Sequence, residues 1–205
     1  MINILKTLKR FLILQIVLIL FISIFFTPII LSNEISVNNS KKEVYEIDEP
    51  IVLNPNGFIW PLPGYNRISS PFGKRVSPTT GASSYHSGID IPAPPGTKFI
   101  AVHDGIITFR QFLGAGGYTI TLSFDNYKVS YCHCDPNFIV EVGQEIKQGQ
   151  VIGQVGPKNV YGVPGNIYFD SEGNPTNGAT TGPHLHLGIR IDGEYQNPLD
   201  FYWHY

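Results

Sequence analysis

The sequence has few cysteines and few charges. Only two of its 205 residues are cysteine, Cys132 and Cys134, and 15% are charged whereas 42% are hydrophobic. A chain with so much apolar side chain and so little charge can form a core, which excludes global disorder. Two cysteines separated by a single residue would make a strained disulfide, so we expect no bond between them.

Clustered positive charge is missing beyond the N-terminus. Lys6, Lys9 and Arg10 precede residue 11, and all 16 acidic residues follow residue 31. The part after residue 31 therefore keeps only 11 of the 14 basic residues and carries a net charge of −5. Because binding to nucleic acid depends on clustered lysine and arginine, this mild acidity excludes nucleic acid as an expected partner.

One long apolar run is present, at residues 11–31, and it is about as long as a helix that crosses a bilayer. The run predicts a transmembrane anchor, with residues 1–10 as a basic cytoplasmic N-terminus and the rest of the chain outside. Its end lacks the small-x-small pair of a cleaved signal peptide, which favours an uncleaved anchor. Cleavage of residues 1–33 would instead give a secreted form.

After the run, residues 32–58 read as a polar extracytoplasmic linker, and residues 59–205 as one mostly β domain. No stretch of the domain has an apolar period of 3.6 residues, and short apolar runs alternate with Gly, Pro and Asn. Predicted hairpin turns lie at 124–127 and at Asp192-Gly193. The predicted strands are 98–102, 105–109, 118–124, 128–133, two short ones within 142–153, and 185–191.

Two short patterns carry possible metal chemistry. His86 and Asp90 are four residues apart, and Gly88 and Pro92 exclude a helical turn, so both side chains must converge from a turn that enters a strand. His184 and His186 alternate, which in a strand puts both imidazoles on one face.

Either pattern alone is more often a set of surface side chains than a metal site. Together they predict one zinc site in which two imidazoles and a carboxylate leave a fourth position for water, as in catalytic sites. His86 and Asp90 are then ligands with one of His184 and His186, and the residues leave open which. The remaining histidine is free to move protons.

His133 stands between the two cysteines. In a regular strand the cysteines would face away from His133, which excludes a Cys-His-Cys zinc site and leaves the cysteines as small buried hydrophobes. His133 is a second candidate for proton transfer. His103, which precedes Asp104-Gly105, is interpreted as a turn residue, and His204 as a terminal surface residue.

From about residue 59 to 202 the chain resembles the LytM/lysostaphin-type zinc endopeptidases, peptidase family M23. The stretches that carry the resemblance occur in the family's order. They are SPFGKR at 70–75, HSGID at 86–90, Gly96-Thr97 leading to Ala101 and Asp104-Gly105, Tyr131-x-His133, the glycine run at 143–153, TGPHLH at 181–186 and NPL at 197–199.

The resemblance implies a compact antiparallel β-sheet domain with an open groove and one Zn²⁺ at its floor. His86, Asp90 and His186 match the family's zinc ligands, and His133 and His184 match its two catalytic histidines that are not ligands. The implied activity is hydrolysis of peptide cross-links in bacterial cell-wall peptidoglycan by a zinc-activated water. Stem peptides or cross-bridges, the cell membrane and cell-wall proteins are the implied partners.

Three departures from the family pattern stand out. Cys134 replaces a common leucine after the Tyr-x-His histidine. Residues 157–180 are much longer than the usual connection, and form either a groove wall that selects substrate or a tolerated surface insertion. Thr80 stands where glycine-bridge-cutting members have tyrosine, which favours cleavage of direct stem-peptide cross-links.

Two other functions compete with the enzyme. A membrane-tethered scaffold or regulator of cell-wall enzymes could use the same fold, since some relatives lose zinc ligands and act by binding. All five site positions are filled here, which favours the enzyme. A lipoyl-type barrel fits poorly, because no lysine besides Lys147 lies in a suitable turn.

Overall fold

The structure, a computed structural model, describes residues 57–202. The predicted cytoplasmic segment 1–10, the anchor helix 11–31, nearly all of the linker 32–58 and His204 lie outside these residues and stay predictions. Between residues 57 and 202 no helix is long and apolar enough to cross a bilayer.

Residues 57–202 form strands, loops and two short 3-10 helices, Gly114–Gly116 and Pro198–Phe201, and contain no α-helix. The predicted mostly β domain is thereby confirmed. The eleven strands are β1 (Gly73–Lys74), β2 (Tyr85–His86), β3 (Ile89–Pro92), β4 (Lys98–Ile100), β5 (Gly105–Phe112), β6 (Tyr118–Phe124), β7 (Tyr127–Cys132), β8 (Glu145–Ile146), β9 (Val151–Gln154), β10 (His184–Ile191) and β11 (Glu194–Gln196).

The main sheet is antiparallel and runs in the order β11-β10-β7-β6-β5-β8. Strand β10 pairs with three other strands: β7 lies along one of its edges, and β3 and β11 share the other edge. Two further pairs, β1–β2 and β4–β9, complete the fold. This arrangement puts β3, β10 and β7 side by side.

Both predicted hairpin turns are confirmed. Phe124 pairs with Tyr127, and Ile191 pairs with Glu194, so each hairpin has a two-residue loop. In the second loop Asp192 and Gly193 have φ of 51° and 89°. A two-residue loop with positive φ at both positions follows the right-handed twist of the flanking strands.

Alternation along β7 and β10 separates the core from a groove. Val129 and Tyr131 in β7 are fully buried, and so are the odd-numbered residues of β10 from Leu185 to Ile189. Burial of each such side chain stabilises the fold by about 1.5–3 kcal/mol. The even-numbered residues of both strands face the opposite side of the sheet. All of them except Lys128 line the groove.

Candidate metal centre and groove

The turn between β2 and β3 brings His86 and Asp90 to the groove. His86 ends β2, and Asp90 pairs with His186 in the ladder between β3 and β10. Gly88 lies between them against β10, where an added Cβ would overlap the Leu187 carbonyl oxygen and lie 2.7 Å from His186 Nε2. Only glycine permits so close an approach, so this residue lets the turn pack onto β10.

The structure brings His86, Asp90 and His186 together. Nε2 of His86 lies 2.9 Å from Nδ1 of His186, and Oδ1 of Asp90 lies 3.1 Å from the first atom and 2.9 Å from the second. Two zinc ligands at tetrahedral angles lie roughly 3.4 Å apart. Two imidazole nitrogens and a carboxylate oxygen at these separations fit one small cation, although their role as ligands stays a prediction.

The backbone around β1 orients His86. Nδ1 of His86 lies 2.9 Å from the carbonyl oxygen of Pro71, which can only accept, so this nitrogen carries the proton. Nε2 is then the unprotonated atom and faces Asp90 and His186. Partners of this kind, which hold the far side of a metal-binding imidazole, fix its tautomer and orientation.

Arg75 and Ser70 contact the cluster, and no sequence pattern beyond the family resemblance pointed to either residue. Nη1 of Arg75 donates to Asp90 Oδ2 over 3.3 Å and to Ser70 Oγ over 2.7 Å. Arg75 therefore holds the Asp90 oxygen that does not face the imidazoles. Fifteen residues separate the two side chains, and no local pattern in the sequence links them.

The surroundings of Asp90 keep it ionised. Burial alone would raise the pKa of its carboxyl group, but the adjacent imidazoles of His184, His186 and His86 outweigh burial and hold the pKa well below its usual range. An anionic oxygen is the form that a divalent cation requires.

His133 and His184 lie next to the cluster, with ring centroids 4.6 Å apart. Nδ1 of His133 donates to the carbonyl oxygen of Asn177 over 2.6 Å, and Nδ1 of His184 donates to that of Gly182 over 2.8 Å. In both rings Nε2 is therefore free to accept a proton. Nε2 of His184 lies 3.4 Å from Asp90 Oδ1.

Burial favours the neutral form of His133 and His186. It lowers the pKa of His133 well below 6.5, and the nearby His184 and His186 lower it further. Burial also lowers the pKa of His186, against the hydrogen bond and the charge of Asp90. A neutral imidazole can accept a proton or bind a metal ion, and a protonated one can do neither.

The prediction that both cysteines face away from His133 is wrong for Cys132. His133 has a φ of 59°, a left-handed conformation that ends β7 at Cys132 and breaks the alternation assumed from the sequence. Cys132 pairs with His186 across the ladder and faces the groove, while Cys134 is buried in the core. Both are free thiols, and burial raises the pKa of Cys132 to about 11.

The insertion at 157–180 reaches the candidate site at its base. Thr176, Asn177 and Thr180 are buried there, and Asn177 accepts the hydrogen bond from His133. The side chain of Asn177 accepts from the Tyr118 amide and donates to the Cys134 carbonyl. This base is an integral part of the fold and is more than a tolerated surface insertion.

The outer part of the insertion is different. Tyr161, Ile167 and Phe169 have 69%, 75% and 50% of their surface exposed. Ala179 and Thr181, near the end of the insertion, line the groove. Whether the outer part selects substrate stays a prediction.

The groove that contains the cluster has a volume of about 480 Å³. All five predicted site residues, His86, Asp90, His133, His184 and His186, line it. His103 does not line it. That side chain stacks on Phe124 with ring centroids 4.1 Å apart, as suits a structural turn residue.

A protein-family model matches most of the described part of the chain. Residues 84–198 match the model of Peptidase family M23, which covers more than half of the chain and all five site residues.

Two curated relatives are similar over most of the described residues. DD-carboxypeptidase/endopeptidase Mpg of Neisseria meningitidis serogroup B is 34% identical over 154 residues, which are 74% of this chain and 31% of that protein. Peptidoglycan DD-endopeptidase ShyC of Vibrio cholerae is 32% identical over 138 residues, 65% of this chain and 27% of that protein. The chain thus spans less than a third of the length of these relatives.

Two solved structures share the fold. The catalytic domain of lysostaphin from Staphylococcus simulans has a TM-score of 0.51 at 24% identity, over 67% of this chain and 91% of that one. A zinc-containing peptidase from Vibrio cholerae has a TM-score of 0.53 at 24% identity, over 72% and 44%.

Proposed function

The chain belongs to peptidase family M23, and from that premise we propose that it is a zinc metalloendopeptidase that hydrolyses peptide cross-links of cell-wall peptidoglycan. The single observation that carries the proposal is the cluster of His86, Asp90 and His186 in an open groove, with two further imidazoles beside it. Three ligands with an open position are typical of catalytic zinc sites and not of structural ones.

His86, Asp90 and His186 would hold the ion. Zinc in such a site supplies Lewis acidity, which activates water and polarises a peptide carbonyl group. Arg75 and the carbonyl group of Pro71 keep two of the ligands oriented from behind.

The two neighbouring histidines would move the protons. His133 and His184 each present an unprotonated Nε2, because their Nδ1 atoms donate to backbone carbonyl groups. One of them takes a proton from the attacking water and passes it to the amine that leaves when the peptide bond breaks. The imidazolium formed in between can donate a hydrogen bond to the developing oxyanion.

The proposed substrate is a direct cross-link between stem peptides. Both curated relatives are named for DD-peptidase activity, which supports this choice over glycine bridges. Thr80 in place of the tyrosine of glycine-bridge-cutting members points the same way. Anchoring by residues 11–31, with the peptidase domain outside the cell membrane, belongs to the proposal on the sequence alone.

The test is digestion of purified peptidoglycan and defined muropeptides by the full chain, with the released fragments identified by mass spectrometry. We expect cleavage at the cross-link, and loss of that cleavage in His86→Ala and in chelated protein, with recovery on addition of zinc. His103→Ala is the matched control, because it makes the same change outside the groove, and it should cleave like the wild type.

Two outcomes would contradict the proposal. One is cleavage that persists in His86→Ala and after chelation. The other is an inactive, metal-free wild type that still binds a cell-wall protein, which would support the scaffold.

A further inference from the structure

The groove extends along β10 beyond the histidine cluster. His184, His186, Gly188 and Arg190 are alternate residues of that strand and face the same side. Arg190 lies four residues past His186, which is roughly 13 Å along a strand. Ser130 and Tyr195 line the same end of the groove as Arg190.

Arg190, at this end of the groove, has a second cation beside it, although Lys128 itself does not line the groove. Arg190 pairs directly with Lys128 across the β7–β10 ladder and with Tyr195 on β11. Directly opposed residues share a face, and like charges in that position destabilise a sheet. Neither cation forms an ion pair with a carboxylate of residues 57–202.

The contacts of Arg190 hold it in place without neutralising it. Its guanidinium lies 5.0 Å from the centre of the Tyr195 ring, and Nη2 donates to Ser130 Oγ over 3.4 Å. A guanidinium has five N–H donors, and these two neighbours leave most of them unused. A fixed guanidinium with unused donors suits two-point binding of a carboxylate.

Gly188 lines the groove between His186 and Arg190 and leaves little room for a side chain. An added Cβ at this residue would lie 3.3 Å from the Ser87 carbonyl oxygen and 3.6 Å from His186 Nε2. His186, Gly188 and Arg190 line the same groove, so an extended ligand within it can reach from the histidine cluster to Arg190. The distance of roughly 13 Å corresponds to about four extended residues.

We propose that Arg190 and Lys128 form a subsite that binds a free carboxylate of the substrate peptide. The inference rests on the proposed peptidase function and adds the feature of the substrate that the groove recognises. The carboxylate is either the C-terminal α-carboxylate of a stem peptide or the side-chain carboxylate of a diamino acid. In a domain with net negative charge, this pair attracts an anionic segment to one end of the groove.

The experiment is a double-mutant cycle in which kcat/KM is measured for each protein variant on each form of the substrate. Cross-linked peptides are compared in three forms: unmodified, amidated at the C-terminal carboxylate, and amidated at the diamino-acid carboxylate. For the unmodified peptide, Arg190→Gln should lower kcat/KM by about 10- to 100-fold, mainly through KM, the range set by a charge-assisted hydrogen bond. Lys128→Gln should lower it by a few fold, and less at high salt.

Amidation of the recognised carboxylate should lower the kcat/KM of the wild type about as much as the Arg190→Gln substitution does. In the Arg190→Gln variant, the same amidation should lower kcat/KM little further. The form that shows this behaviour identifies which carboxylate binds. Arg190→Lys keeps the charge and should restore part of the loss. Arg67→Gln, an exposed arginine that does not line the groove, is the matched control and should leave kcat/KM unchanged.

The subsite would be overturned if Arg190→Gln and amidation each lowered kcat/KM and their effects multiplied when combined. It would also be overturned if amidation had no effect on the wild type. If the wild type cleaves no peptide, the peptidase proposal fails, and calorimetric binding of the same peptides then decides on the subsite. Weaker binding of an amidated form by the wild type but not by Arg190→Gln would support it. Equal binding of all forms would refute it. If Arg190→Gln does not fold, Lys128→Gln carries the same comparison from the exposed member of the pair.

Discussion

A single asparagine connects the insertion to the proposed proton-transfer histidine. Asn177 is fully buried, and its side chain bonds the Tyr118 amide over 2.8 Å and the Cys134 carbonyl over 2.9 Å. These bonds fix the backbone carbonyl group that accepts the hydrogen bond from His133 Nδ1. Asn177 is thus a positioning residue, because it acts on the substrate only through His133.

Asn177→Ala should weaken both the fold and the reaction. The change leaves two buried backbone groups without partners, at a cost of about 1–3 kcal/mol each to the free energy of unfolding. The backbone carbonyl group that accepts from His133 remains but loses the side-chain bonds that hold it in place, so kcat should fall more than KM rises, and the pH profile of kcat should shift. Urea denaturation and steady-state kinetics on a muropeptide measure the two effects.

Asn137→Ala is the matched control, because Asn137 is exposed and bonds only Asp135 next to it. It should change neither quantity. An Asn177→Ala variant with a lowered stability but the wild-type pH profile would show that Asn177 only supports the fold.

At the scale of elements, the sequence predicted what depends on local periodicity. Alternation put His184 and His186 on one face, and the Asp192-Gly193 pair marked its hairpin, because both features involve neighbouring residues. The choice of His186 over His184 as a ligand came from the family resemblance alone, since alternation treats them alike. The structure groups His186 with His86 and Asp90.

Features that depend on distant segments could not be predicted. Arg75 reaches Asp90 because β1 pairs with β2, and Asn177 reaches His133 across 44 residues. The position of Cys132 was predicted wrongly because the left-handed φ of His133 leaves no mark on the alternation of the sequence. In each case the determining contact is tertiary.

The outer insertion allows a separate test at this scale. Val160 and Pro175 are joined by a backbone hydrogen bond of 3.1 Å, so two glycines can replace residues 161–174 between them. The replacement also removes the hydrogen bonds that Asn166 and Tyr168 make with Thr176, and the ion pair of Asp170 with Lys158. Loop closure alone should change the free energy of unfolding by no more than about 1 kcal/mol, but each lost hydrogen bond lowers it by about a further 1 kcal/mol. The test therefore compares two substrates on the same variant. If the outer insertion is a substrate wall, hydrolysis of cross-linked muropeptides should fall at least several fold more than that of a short peptide.

The matched variant changes Tyr161, Ile167 and Phe169 to serine and keeps the loop length. If the wall acts through these exposed apolar side chains, both variants should lose muropeptide hydrolysis to the same extent. If the ratio of muropeptide hydrolysis to short-peptide hydrolysis is unchanged in both variants, the outer residues are a tolerated surface insertion.

On the scale of the whole molecule, the site forms only when the sheet does. His86 and His186 are 100 residues apart and meet because β3 pairs with β10, and His133 joins them because β7 pairs with the other edge of β10. The imidazoles are therefore buried together in the folded chain and separated in the unfolded one. The pKa values of His133 and His186 therefore differ between the two states, which links protonation to folding.

The sign of that link follows from the lowered pKa of His133. An unfolded chain binds a proton at this imidazole near pH 6.5, whereas burial prevents the folded chain from doing so until the pH is much lower. The unfolded state then holds more protons, so the contribution of His133 to stability is complete above pH 6.5 and is lost as the pH falls below it. His186 acts in the same direction.

We therefore expect the chelated chain to become less stable between pH 7.5 and pH 5.5, by up to about 1.4 kcal/mol per pH unit for each imidazole below pH 6.5. Urea denaturation across this range measures the slope. His133→Gln removes one of the two groups and should give a shallower slope, whereas the same change at His103, outside the cluster, should not. Parallel slopes for the wild type and His133→Gln would mean that His133 gains a proton in the folded chain as easily as in the unfolded one, which contradicts its burial beside two other imidazoles.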